Sequence, residues 1–123
     1  MRRILLIMLV VFSSNVLAST PACYSSHGGY CQYTGKVSKI YINSGNLILI
    51  YFETAMPVEN ALEAGITITN GHAGAYRVSD NPDFAKLFYS TALAAQASKR
   101  NVILQLRGSE SGYLRFDRIW LNE

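Results

Sequence analysis

Cys23, His27 and Cys31 fall together in CYSSHGGYC. Two thiolates and an imidazole are soft ligands that could begin a zinc site, but no fourth ligand lies nearby, and oxidised sulfurs do not coordinate as thiolates. Gly28 and Gly29 let the chain turn between the cysteines, so an intrachain disulfide is the simplest expectation. Pairing with a second chain is the other use of the same thiols. The second histidine, His72, sits in NGHAG, where it could act as a base or simply occupy a turn. No nucleophile stands beside either imidazole in the sequence. The carboxylates Glu53, Glu59, Glu63, Asp80, Asp83, Glu110, Asp117 and Glu123 are scattered. Glu59 and Glu63 are four apart and could share a helical face, and a solvated helix face accounts for them. GHAG lacks the lysine and hydroxyl residue of a phosphate-cradling loop. The expectation is therefore a protein that is not an enzyme, with no metal and no cofactor.

The compartment follows from the first residues. Arg2 and Arg3 precede an unbroken apolar run, Ile4 to Phe12, and Val16-Leu17-Ala18 supplies the small residues that a signal peptidase reads. Residues 1–18 are expected to be a cleavable signal peptide. The run is shorter than the roughly 20 residues that span a bilayer, so no membrane span is expected after cleavage. The chain carries 11 Lys and Arg against 8 Asp and Glu, and removing Arg2 and Arg3 lowers the net charge from +3 to +1. A nearly neutral mature chain does not suit a phosphate-rich partner, so nucleic acid is not expected. Tyr41, Tyr51 and Tyr76 could stack on bases or sugar rings, or pack in a core. An exported, periplasmic or secreted location also permits the disulfide.

The elements that must position these residues are mostly strands. Residues 19–32 read as an N-terminal loop held by the cysteines, and residues 33–123 as one domain. Gly35 to Asn43 reads as a strand whose apolar phase changes between Val37 and Ile40, the mark of a bulge or sharp coil. Leu47 to Phe52 is a second strand with no polar face, to be covered on both sides by its own chain or by another subunit. Met56 to Gly65 fits a short helical turn or a loop. Ile66 to Thr69 alternates like a strand, and AYRVS at residues 75–79 is extended again. Asn81 and Pro82 open a helix whose apolar stripe is Phe84, Leu87, Phe88, Thr91, Ala92 and Ala95, ending near Lys99-Arg100. Asn101 to Arg107 alternates, with Ile103, Gln105 and Arg107 on one face, and Leu114 to Leu121 is the last strand. This predicts a mainly β fold with one helix: an OB-like five-stranded β-barrel with the helix between the third and fourth strands.

Tyr33-Thr34-Gly35-Lys36-Val37 with Ile40, then AYRVS, the helix, and Val102-Ile103-Leu104, resembles the B-subunit family of subtilase cytotoxin and the pertussis-like typhoid toxin. The similarity runs loosely from Tyr33 to Leu106. It implies a ring of five OB-fold subunits that binds sialylated glycans and delivers a toxic A subunit. The family's carboxylate-holding serine corresponds to Thr34, which keeps a hydroxyl, and Tyr30, Gln32 and Tyr33 stand beside it. The family's contributing tyrosine falls near Leu106, and its disulfides join later strands than the one expected here. The resulting expectation is an exported, non-catalytic binding module for a glycan or protein, oligomeric if toxin-B-like. The alternative is a stand-alone OB-like structural or protein-interaction domain.

Overall fold

A computed structural model describes residues 21–122. The expected signal peptide, residues 1–18, lies outside the described residues.

Cys23 and Cys31 form a disulfide, and they do so because they sit opposite each other on two strands. Strand β1 (Ala22–Tyr24) pairs antiparallel with β2 (Tyr30–Gly35). His27, Gly28 and Gly29 all take positive φ (52°, 82° and 87°), which reverses the chain between them. The segment read as an N-terminal loop is thus a disulfide-tied hairpin in the same sheet as the rest of the chain. The Cys23 sulfur lies 3.4 Å from that of Met56, so the hairpin also packs onto the core.

The phase change near Val37 is a break between two strands. β2 ends at Gly35, and β3 (Lys39–Ile42) starts after three linking residues. The Tyr33 hydroxyl holds this link, donating to the Lys36 carbonyl at 2.7 Å and accepting from the Glu53 amide at 3.1 Å. β3 pairs antiparallel with β4 (Leu47–Tyr51), and β4 with β5 (Ala73–Arg77). Met56 to Gly65 resolves into the short helix α1 (Val58–Glu63). Ile66 and Ile68 are buried, yet their segment is no strand. The Thr69 and Asn70 amides both donate to the single carbonyl of Gly112, and no ladder develops.

Helix α2 spans Pro82–Ser98. The Asn81 side chain accepts from the Phe84 amide at 3.1 Å, and Lys99 ends the helix in the left-handed conformation (φ 55°). Its buried face is Ala85, Phe88, Ala92 and Ala95. Leu87, expected in the stripe, is 71% exposed. At 3.6 residues per turn it stands about 100° around the helix from Phe88, beyond the edge that the sheet covers.

β6 (Val102–Glu110) and β7 (Tyr113–Leu121) complete the sheet, whose order is β1-β2-β6-β7-β5-β4-β3. All pairings are antiparallel except β5 with β7. The fold is mainly β with one long helix, as expected, and that helix precedes the last two strands. The closed five-stranded barrel is corrected: the described residues form an open, mixed, seven-stranded sheet. The difference has two causes, the break at residues 36–38 and the hairpin strand β1.

The main core lies between one sheet face and α2. Phe88 and Phe116 meet there with ring centres 4.4 Å apart, and Tyr33 stacks on Phe52 at 4.5 Å. On the opposite face Leu47, Leu49, Ala73 and Ala75 form a second cluster with Tyr51 and Tyr113 packed against it. The all-apolar strand is therefore covered on both sides within its own chain.

Candidate binding face

Period-2 alternation divides β2 cleanly. Cys31, Tyr33 and Gly35 are buried, while Tyr30, Gln32 and Thr34 turn to the outer face. The register across the sheet then sets their neighbours. Gln32 lies opposite Gln105, which lies opposite Arg118, and Thr34 lies opposite Ile103, which lies opposite Trp120. A shallow groove of about 240 Å³ results, lined by Gln32, Ile103, Gln105 and Trp120. Trp120 is 43% exposed, a large apolar surface held in the open by a strand. The row continues past Gln105 to Arg107, whose guanidinium lies 5.2 Å from the Tyr30 ring centre and donates to the His27 carbonyl at 2.7 Å. Tyr24 extends it, its ring centre 5.1 Å from that of Tyr30.

Of the four residues singled out in the sequence, Tyr30, Gln32 and Thr34 share this face, and Gln32 lines the groove itself. Tyr33 does not. It is fully buried, and burial pushes its phenol above the usual value of 10.0, with the nearby Glu53 carboxylate adding to the rise and the hydrogen bond from the Glu53 backbone opposing it. Its part is to hold the β2–β3 link from inside. Trp120, Gln105 and Ile103 were not singled out as site residues. Alternation places Ile103 and Gln105 on one face of β6, but only the cross-strand register brings them to Gln32 and Trp120.

The remaining candidates stay apart. Cys23 and Cys31 are bonded to each other and cannot serve as thiolate ligands. Among the described residues no group of three or more His, Cys, Asp or Glu is placed to hold a metal ion. His72 is exposed, with its amide donating to the Asn70 side chain at 2.9 Å in a local turn. Glu59 and Glu63 are exposed on α1. Tyr76 is in the core against Phe84, whereas Tyr41 and Tyr51 lie on β3 and β4, so the three do not form one stacking surface. No helix of the described residues is long and apolar enough to cross a membrane. No protein-family model, curated protein or solved structure matches this chain.

What the groove offers is an indole face, two primary amides and an aliphatic floor. The apolar face of a sugar ring packs on an indole. Its hydroxyls suit the glutamine amides, each with donors and an acceptor. These groups sit on paired strands rather than on a loop, so they are held in place before any ligand arrives.

Proposed function

We propose that this chain is an exported, non-catalytic binding module whose outer face takes a glycan. The observation that carries the reading is the groove at Trp120, with Gln32 and Gln105 beside the indole and Ile103 beneath. Tyr30 and Thr34 flank it on β2. The Cys23–Cys31 disulfide suits an oxidising compartment.

An OB-type ancestry, and with it kinship to the toxin B-subunit family, is part of the proposal. Supporting it is the chain path. β2 and β3 are separated by only three residues and flank opposite ends of the β6-β7-β5-β4 core of the sheet. Counted as one bent strand, and with the hairpin strand β1 set aside, they give five strands in OB order, with α2 between the third and fourth and a parallel pairing of the third and fifth. On this reading a ring of five copies is the expected assembly.

The test is a panel of sialylated and neutral glycans presented to the folded, oxidised protein, alongside Trp120→Ala. Binding that the substitution abolishes supports the proposal. If the folded protein binds none of the panel, the glycan reading is wrong and a protein-interaction role takes its place.

A further inference from the structure

A second cavity lies where the pairing of β6 and β7 breaks. Gln105 pairs with Arg118 and Leu106 with Phe116, which leaves Asp117 as an extra residue on β7. Leu106 pairs with Phe116 and Ser109 with Leu114, which sets Arg107 and Gly108 against the single residue Arg115. Bulges re-aim side chains, and these two deliver Arg107, Arg115 and Asp117 to one place. They line a cavity of about 230 Å³ whose other walls include the rings of Tyr76, Phe84 and Phe116. A water molecule occupies about 30 Å³ in the liquid, so the space holds far more than one.

The two guanidinium groups are incompletely used. Arg115 lies 5.3 Å from the Tyr76 ring centre, and its Nη2 stands 3.6 Å from an Asp80 oxygen, beyond hydrogen-bond length. Its Nε is buried and has no hydrogen-bond partner among the described residues. Arg107 spends Nη1 on the His27 carbonyl, but its Nε is 3.9 Å from Asp117. Asp117 is held more closely by Arg118, at 2.7 Å, while its carboxylate remains on the cavity wall. Buried donors without acceptors are uncommon in folded proteins.

We propose that this cavity is a binding subsite for a small oxyanion: a phosphate, sulfate or carboxylate group. Its oxygens take the terminal Nη nitrogens of Arg115, the end of the guanidinium open to a ligand, while the buried Nε stays closed to it. Arg107 lines the same cavity, and the aromatic walls accept a ring that carries the anion. The subsite shares no lining residue with the Trp120 groove, and Arg115 lies outside the candidate binding face, whereas Arg107 also borders Tyr30 there.

The test follows the arginine Nε–H signals of the full oxidised chain by NMR, at constant ionic strength. The titrants are inorganic phosphate, sulfate, acetate and phenyl phosphate, with chloride as the control. The Arg115 Nε–H is expected to shift saturably with the oxyanions and not with chloride. Arg115→Lys and Arg107→Gln should each weaken binding about ten-fold, the scale of one charge-assisted hydrogen bond, with Lys39→Gln unaffected. Tighter binding of phenyl phosphate than of free phosphate assigns the site to an anion borne on a larger ligand, and equal binding assigns it to the free ion. An Arg115 signal that moves no more with oxyanions than with chloride overturns the proposal. So does full affinity in Arg115→Lys together with Arg107→Gln.

Discussion

Tyr33 and Thr34 are neighbours in sequence with opposite surroundings, because a strand sends successive side chains to opposite faces. The Tyr33 hydroxyl holds the Lys36 carbonyl and the Glu53 amide at the link between β2 and β3. Tyr33→Phe keeps the ring stacked on Phe52 but leaves those groups unpaired, at a cost of about 1–3 kcal/mol in a urea unfolding experiment. The same residue sets a pH dependence. Its folded-state pKa is raised above 10.0, so burial favours the neutral phenol. That contribution is complete below the ordinary tyrosine pKa and is lost as pH rises through the folded value. The stability gap between the wild type and Tyr33→Phe should therefore narrow above pH 10, and a constant gap would contradict the role given to the hydroxyl. Tyr30, Gln32 and Tyr33 were named together as neighbours of Thr34 through the resemblance, with residues 19–32 read as a loop. The division of these residues into an outward set and a buried Tyr33 was not legible, since nothing in the sequence says which face of β2 meets the core.

At the scale of elements, α2 and the Cys23–Cys31 disulfide were the parts most open to sequence reasoning, each with a local signal, whereas the strands that carry the cysteines read as a loop. Asn81 caps α2, and Asn81→Ala should lower stability by about 1 kcal/mol, read as a lower urea midpoint with no change in slope. The helix ends were legible because capping chemistry is local. Its buried face was less so: Leu87 fits an apolar stripe by spacing, but the sheet covers the side centred on Phe88, Ala92 and Ala95. The phase change between Val37 and Ile40 signalled a bend, and only the pairing of each half with a different neighbour reveals two strands. The hairpin disulfide closes a short loop, and the double variant Cys23→Ala/Cys31→Ala should cost about 2–3 kcal/mol in urea. Hydrogen exchange should show β1 losing protection first. Unchanged protection would mean that strand pairing alone holds the hairpin.

The whole molecule depends on contacts that sequence does not spell out. Residues 32, 105 and 120 are distant along the chain and adjacent only because β2, β6 and β7 lie side by side. That adjacency turns scattered residues into a groove, and it is why Trp120 was read as part of a strand rather than as a site. Assembly belongs to this scale too. Light scattering on the oxidised mature chain should give the mass of five copies if the toxin-B-like ring is correct, and a monomer would remove that part of the proposal.

Trp120 is the only tryptophan of the chain, so its fluorescence reports on the groove without labelling. Titrating the folded protein with the panel of sialylated and neutral glycans is the most direct measurement of the central claim. The account predicts a saturable change in Trp120 emission with at least one glycan, weakened about ten-fold or more by Gln105→Ala, as expected when a buried polar contact is lost. An emission that stays constant across the panel, or a change that Gln105→Ala leaves intact, would contradict it.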